Sequence, residues 1–379
     1  MKKFILLSTM LLVFSAIAFC NTKATNDEMN RETKIQVAIL LDTSSSMDGL
    51  IDQAKSRLWN IVNTLTTLKY NGKSPKIEIA LYEYGNDNLR RSDGYIRQVT
   101  PLTTNLDLIS EKLFALTTYG GDEYCGTVIS KAVEMLSWGS NSSDMKLIYI
   151  AGNEPFTQGN VSYRTAIDRA LAKGIYVNTI HCGSANEGIE GKWRDGAERG
   201  KGKFFNINHN AKIRYYDTPY DDRISACNDR LNRTYISYGA GGYAHAQNQR
   251  VQDTNAMAMS KSNFAERAVS KSKQVYNNSS WDLVDKVKEN KDALNEIKQS
   301  ELPQELQNKS KAEVQKLIAE KEAERTSIQK EIAELAKKRQ EYIDDQAKKD
   351  NNSTSDDLGK AINESIIAFA NIKGYTISK

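Results

Sequence analysis

The sequence predicts an α/β protein: a doubly wound, mostly parallel sheet followed by a helical, partly coiled-coil C-terminal region. Three observations carry this reading. Short runs such as Ile35-Gln36-Val37-Ala38-Ile39-Leu40-Leu41 are mostly apolar on both faces, as strands buried on both sides must be. Those runs alternate with amphipathic stretches of helical period, the order of a sheet covered by helices on both faces. Beyond them, Glu301–Asp350 holds 12 acids, 11 bases, one Pro and no Gly, which suits a long solvated helix.

Along the chain, Lys2 and Lys3 precede an apolar run from Phe4 to Phe19, and Ala16-Ile17-Ala18 offers a small-x-small cleavage site. Residues 1–20 therefore read as a secretory signal peptide. An uncleaved anchor is the alternative, although the run falls short of the ~20 residues that span a bilayer. Cys20 is a lipidation candidate, with Phe19 where lipoprotein signals normally have a small residue. The protein is expected to be exported: periplasmic, secreted or lipid-anchored to the cell envelope. Residues 21–33 read as a flexible polar leader.

Strands are predicted at 35–41, 76–84, 95–100, 146–151, 175–181 and 204–207. Helices are predicted at 48–68, 105–116, 126–138, 161–173, near 186–200 and at 219–234. Together they make one unit spanning 34–235. Residues 236–262, glycine-rich and then rich in Gln, Asn and Ala, read as a linker. The glycines of Tyr238–Tyr243 lack the Lys-Ser/Thr of a phosphate loop. Residues 263–379 form the helical region. Val314, Ile318, Ile328, Ile332, Leu335 and Tyr342 recur at three- and four-residue spacings, with Lys321, Arg325 and Arg339 in the slots between. The partner of this stripe is either a second copy, giving self-association, or the 260–298 segment, where Trp281, Leu283, Val284, Val287, Leu294 and Ile297 offer a matching face. After a polar break at Asn351–Asp356, a last helix carries Leu358, Ile362, Ile366, Ile367 and Phe369.

Ligands of such sheets bind beyond the carboxyl ends of the strands. The first strand ends in Asp42-Thr43-Ser44-Ser45-Ser46, which brings the oxygens of Asp42, Ser44 and Ser46 to one point above the sheet. A carboxylate and two hydroxyls are a partial shell for a hard divalent cation. The competing reading is that they only cap the first helix. On this D-x-S-x-S motif the chain resembles the von Willebrand factor type A (VWA) family over about residues 34–235. The resemblance implies Mg2+ or Mn2+ at a metal-ion-dependent adhesion site (MIDAS), with one position open to an acidic side chain of a protein or peptide partner.

The family's second element matches Thr117–Thr127, which keeps the Gly-Gly-Asp of one branch but has Tyr124-Cys125 where Pro-Glu would stand. Asp122 and Glu123 are the metal candidates there, with Thr118 and Thr127 behind them. In the third element the family has Thr-Asp-Gly-Glu-Pro and this chain has Ala151-Gly152-Asn153-Glu154-Pro155. Gly152 thus replaces a metal-linked Asp. Asn153 and Glu154 are candidate substitutes, and Asp122 with Glu123 could restore the charge. A bacterial extracytoplasmic VWA subgroup resembles the chain further, at Gly120–Gly126, Ala151–Gly159, Thr218–Asp221 and Asn278–Leu283.

Cys125 and Cys182 both fall at the ligand-side end, and a disulfide between them is expected; Cys182–Cys227 and free thiols are the alternatives. His181 is read as structural, because neighbouring strand residues point to opposite faces and spoil a His181–Cys182 pair. A Cys125–His181 dyad is the enzymatic alternative. No Gly-x-Ser-x-Gly elbow is present. The net charge of +4 in 379 residues argues against a nucleic-acid partner. The expected function is non-enzymatic: an exported protein that binds a partner through its metal site. An assembly protein working through its helical tail, with a degenerate site, is the alternative.

Overall fold

The structure is a computed structural model that describes residues 32–349 and 357–378. The signal peptide, Cys20, the leader up to residue 31 and the polar break at 351–356 lie outside the described residues.

The elements run β1 (Lys34–Asp42), α1 (Asp48–Thr66), β2 (Leu68–Lys69), β3 (Lys76–Tyr84), β4 (Ile96–Thr103), α2 (Leu106–Phe114) and α3 (Cys125–Met135). Next come β5 (Met145–Gly152), α4 (Tyr163–Ala172), β6 (Ile175–Cys182), α5 (Ala185–Glu190), α6 (Trp193–Arg199), β7 (Lys201–Ile207) and α7 (Asp221–Asn232). The remainder is α8 (Gly242–Met259), α9 (Lys261–Lys271), α10 (Leu283–Glu289), α11 (Lys311–Lys349), α12 (Leu358–Ile372) and β8 (Thr376–Ile377).

Residue parity on β1 sets the two layers. Ile35, Val37, Ile39 and Leu41 enter one core, and Ala38 and Leu40 enter the other. A strand with two apolar faces is stable only at the centre of a covered sheet. The sheet order is β4-β3-β1-β5-β6-β7, with β1 parallel to β3 and β5 and only β4 antiparallel to its neighbour. The first core is closed by α1, α2 and α12, and the second by α3, α4 and α6. All six predicted strands are present. The helix expected near 186–200 is two helices, broken where Lys192 adopts a φ of 71°.

Two domain expectations need correction. The supposed linker at 236–262 is mostly α8, which leads into α9. It escaped the periodicity because its buried side chains are polar. Gln252 accepts from Ser110 Oγ at 2.8 Å, Gln249 donates to the Tyr276 hydroxyl at 3.1 Å, and Asp253 holds Arg267 and Lys271. The second correction is that the helical region does not stand apart from the sheet. α12 returns to cover it, with Leu358, Ile362, Ile366 and Phe369 in the same core as β1. Ser365 Oγ donates to Asn178 Oδ1 on β6 at 2.7 Å, and β8 pairs with β2. A helix with one strongly apolar face must bury it, and this side of the sheet offers the room.

The stripe on α11 packs within the chain. Val314 and Ile318 meet Leu283, Val284 and Leu306. Ile328, Ile332 and Leu335 meet Ile224, Cys227 and Leu231 of α7 and Ala265, Ala268 and Val269 of α9. Two of its charged slots are buried ion pairs. Arg325 donates to Asp282 and Asp285, each at 2.7 Å, and Arg339 donates to Asp221 at 2.8 Å.

Asp253 is acid-sensitive by the same logic. Burial would push its carboxyl up, but Lys271 and Arg267 beside it, with the Asn228 and Asn232 amides, hold it well below the usual carboxylate range. A depressed folded value adds stability above the unfolded value of about 3.9 and loses it as pH falls through the folded value. The urea midpoint is therefore expected to fall as pH drops from about 5 towards 3, and Asp253→Asn to flatten that fall. An equal slope in both proteins would refute the assignment.

Candidate metal centre at the carboxyl end of the sheet

β1 delivers Asp42 to the top edge of the sheet, fully buried. Its Oδ1 accepts the Ser44 backbone N–H at 2.8 Å, which bends the chain so that Ser44 and Ser46 turn back towards it. The two hydroxyls lie 3.4 Å apart. No side chain caps the turn at 45–47 or the start of α1, so helix capping does not account for these serines.

Two further loops close on this turn. The segment before α3 is tied down by Ser45 N–H donating to Gly120 O at 3.1 Å and Tyr119 N–H donating to Thr43 O at 3.0 Å. Thr118 is spent on Asp48. The two acids that follow it separate. Asp122 is exposed and accepts from the Tyr124 hydroxyl at 3.0 Å, whereas Glu123 is 4% exposed and packs beside Asp42. Thr127 lies on α3 towards Gly94, outside the cluster.

After β5, Asn153 Nδ2 donates to Ser46 Oγ at 3.3 Å. Glu154 instead accepts from Gln158 at 3.2 Å, and the same Gln158 accepts the Glu123 backbone N–H at 3.1 Å. His181 Nε2 lies 3.2 Å from the Asn153 carbonyl. Its Nδ1 faces Asn206 at 3.1 Å, and the ring positions the loop as a structural histidine would.

The electrostatics point one way. Asp42 Oδ2, Glu123 Oε2 and Asn153 Oδ1 are buried oxygens with no hydrogen-bond partner among the described residues. Burial pushes the Asp42 carboxyl up to about 7, against the opposing Ser44 hydrogen bonds. Burial and the Asp42 charge push Glu123 up to about 8. Among the described residues no basic side chain bears on either group. Among the described residues no group of three or more His, Cys, Asp or Glu could hold a metal ion. The donor set is instead two carboxylates, two hydroxyls and an amide oxygen, all hard ligands of the kind that suits Mg2+ or Mn2+ rather than a soft metal. Orphaned buried acceptors carry a desolvation cost that a cation would remove.

The expected disulfide is absent. Cys125, Cys182 and Cys227 are separate buried thiols. Cys125 belongs to the core on one face of the sheet and Cys182 to the core on the other, so the sheet lies between them. Cys227 sits in a third core under α11. Three contributors escaped the sequence reading. Gln158 lies in the Ala151–Gly159 segment of the resemblance but had no role assigned to it. Tyr84 reads as an ordinary strand aromatic. Gly85 follows a strand end, the position that calls for scrutiny.

The profile of the von Willebrand factor type A domain matches residues 36–206. No curated protein matches the chain. Among solved structures, proximal thread matrix protein 1 from the mussel byssus is similar at 14% identity and a TM-score of 0.35, covering 47% of this chain; the chain spans 42% of that protein's length. A form of that mussel protein with a zinc-occupied MIDAS motif is also known. An aerotolerance-related membrane protein of Bacteroides fragilis is similar at 17% identity and a TM-score of 0.33, over 46% of this chain and 93% of that one. The SpRpn10 VWA domain is similar at 16% identity and a TM-score of 0.35, over 45% and 87%. With the profile match laid over this sheet and its strand-end motif, residues 36–206 of the chain are a von Willebrand factor type A domain.

Proposed function

We propose that this protein is a metal-dependent binding module. Asp42, Ser44 and Ser46 would hold Mg2+ or Mn2+, and the cation would offer an open position to an acidic side chain of a protein or peptide partner. The observation that carries the reading is Asp42 Oδ2, buried and unpartnered beside two serine hydroxyls. A bound cation supplies a Lewis-acidic anchor for a carboxylate; the chain supplies the orientation. Asp42 is fixed by the Ser44 N–H and Asn153 by His181.

Binding rather than turnover is the reading we favour. The Cys125 thiol is fully buried and pushed well above its ordinary value by that burial, and both ring nitrogens of His181 are engaged. Self-association through the tail is the weaker reading, because the α11 stripe is already covered. Export is carried by the sequence of residues 1–20. Among the described residues no helix is long and apolar enough to cross a membrane.

The test is Mn2+ titration followed by electron paramagnetic resonance. Asp42→Asn can still accept from Ser44 but loses the charge, and is expected to weaken Mn2+ by about tenfold or more. In parallel, proteins retained by the wild type in Mg2+ should be released by EDTA and not retained by the variant. Equal retention under all three conditions would remove the metal-mediated reading.

A further inference from the structure

The carboxylate missing at position 152 has a physical replacement. A Cβ built on Gly152 would come within 2.5 Å of the Tyr84 hydroxyl and 3.0 Å of Asp42 Oδ2. The space of the absent side chain is thus taken by the Tyr84 phenol, which is fully buried and donates to the Ala151 carbonyl at 3.0 Å. An aspartate at 152 and a tyrosine at 84 cannot both be accommodated as the chain stands.

On the opposite side of Asp42 the chain opens a gap instead. A Cβ on Gly85 would lie 2.6 Å from Glu123 Cγ and 2.9 Å from Asp42 Oδ1, so the bare backbone at 85 is what lets the two acids meet. Gly121 makes the approach feasible. Its φ of 124° belongs to glycine, and a Cβ there would sit 1.7 Å from the Gly85 carbonyl. The two loops therefore touch backbone to backbone, and Gln158 holds the Glu123 N–H from behind. The result is a buried Glu123 Oε2 and a buried Asp42 Oδ2, both without partners. Keeping two adjacent buried carboxylates ionised with no basic neighbour is costly, and a cation between them removes that cost.

We propose that Glu123 takes over the ligand role left open by Gly152, so that the cation is held from the loop before α3 rather than from the end of β5. The Tyr84 phenol fills the vacated side. This rests on the reading of the Asp42 cluster as a cation site. Asp122, though adjacent and acidic, is outside the shell because it turns to solvent and to Tyr124.

The test uses the full chain and Mn2+ alone, read by paramagnetic resonance, with circular dichroism to confirm folding. Glu123→Gln should weaken Mn2+ about tenfold or more, and Asp122→Asn should leave it within about twofold. Glu123→Asp, which keeps the charge but withdraws the oxygen by one methylene, should also weaken binding and serves if the glutamine variant misfolds. In the Glu123→Gln background, adding Tyr84→Phe with Gly152→Asp should recover affinity, because the phenol oxygen no longer occupies the aspartate's space. If the wild type binds Mn2+, Asp42→Asn loses it and the Glu123 variants keep it, the inference is overturned while the site stands. If the wild type binds no Mn2+, the site reading fails and the inference with it.

Discussion

Arg267→Ala is expected to cost the fold about 3–5 kcal/mol, the range for breaking a buried ion pair by removing one partner. The side chain is 0% exposed. Its guanidinium donates to Asp107 on α2 at 2.8 Å, to Asp253 on α8 at 2.6 Å and to the Gln249 carbonyl at 2.9 Å. It also lies over the Trp59 ring on α1, 4.6 Å from the centroid. One residue thus joins the sheet-covering helices to the segment first read as a linker. Truncation leaves both carboxylates buried: Asp107 keeps the Tyr276 hydroxyl, and Asp253 keeps Lys271 and the Asn228 and Asn232 amides. Urea unfolding followed by circular dichroism measures the loss. A cost under about 1 kcal/mol, the level of an exposed pair, would show that the guanidinium is solvated in solution.

Gly121→Ala comes second. The backbone there has a φ that L side chains rarely adopt, which alone costs about 1–3 kcal/mol, and the added methyl meets the Gly85 carbonyl. With both effects the expected loss is about 2–4 kcal/mol. The loop cannot relax without withdrawing Glu123 from Asp42, so Mn2+ affinity should fall as well. Gly72 is the control: it also has a positive φ, 76°, but an added Cβ would touch nothing within 4 Å. Gly72→Ala should therefore lower the melting temperature modestly and leave Mn2+ binding alone. If Gly121→Ala melts like Gly72→Ala and binds Mn2+ like the wild type, the backbone contact between the loops does not matter.

Much of this was legible from residues alone. The apolar strand at 35–41 fixed a central parallel strand, because nothing else buries two faces of a seven-residue run. The residue that follows it, Asp42, then fell at the ligand edge by topology. The break at Gly152 was equally plain. Other features were not. α8 was hidden because Gln249, Gln252 and Asp253 bury polar groups against polar partners, which leaves no hydrophobic period to read. The disulfide failed because strand order says which residues reach the top of the sheet, not which face each one takes.

By itself, the sequence determined the element types, their order and the motif at the end of β1, since periodicity and strand parity are local properties of the chain. Tertiary structure decided which groups cover which. It sent α12 back onto the sheet, filled the α11 stripe from within, and turned Glu123 inward while Asp122 faces water. A loop has no period, so the side of it that meets Asp42 is set by what fits against Gly85. That is a property of two distant segments in contact and is written in neither alone.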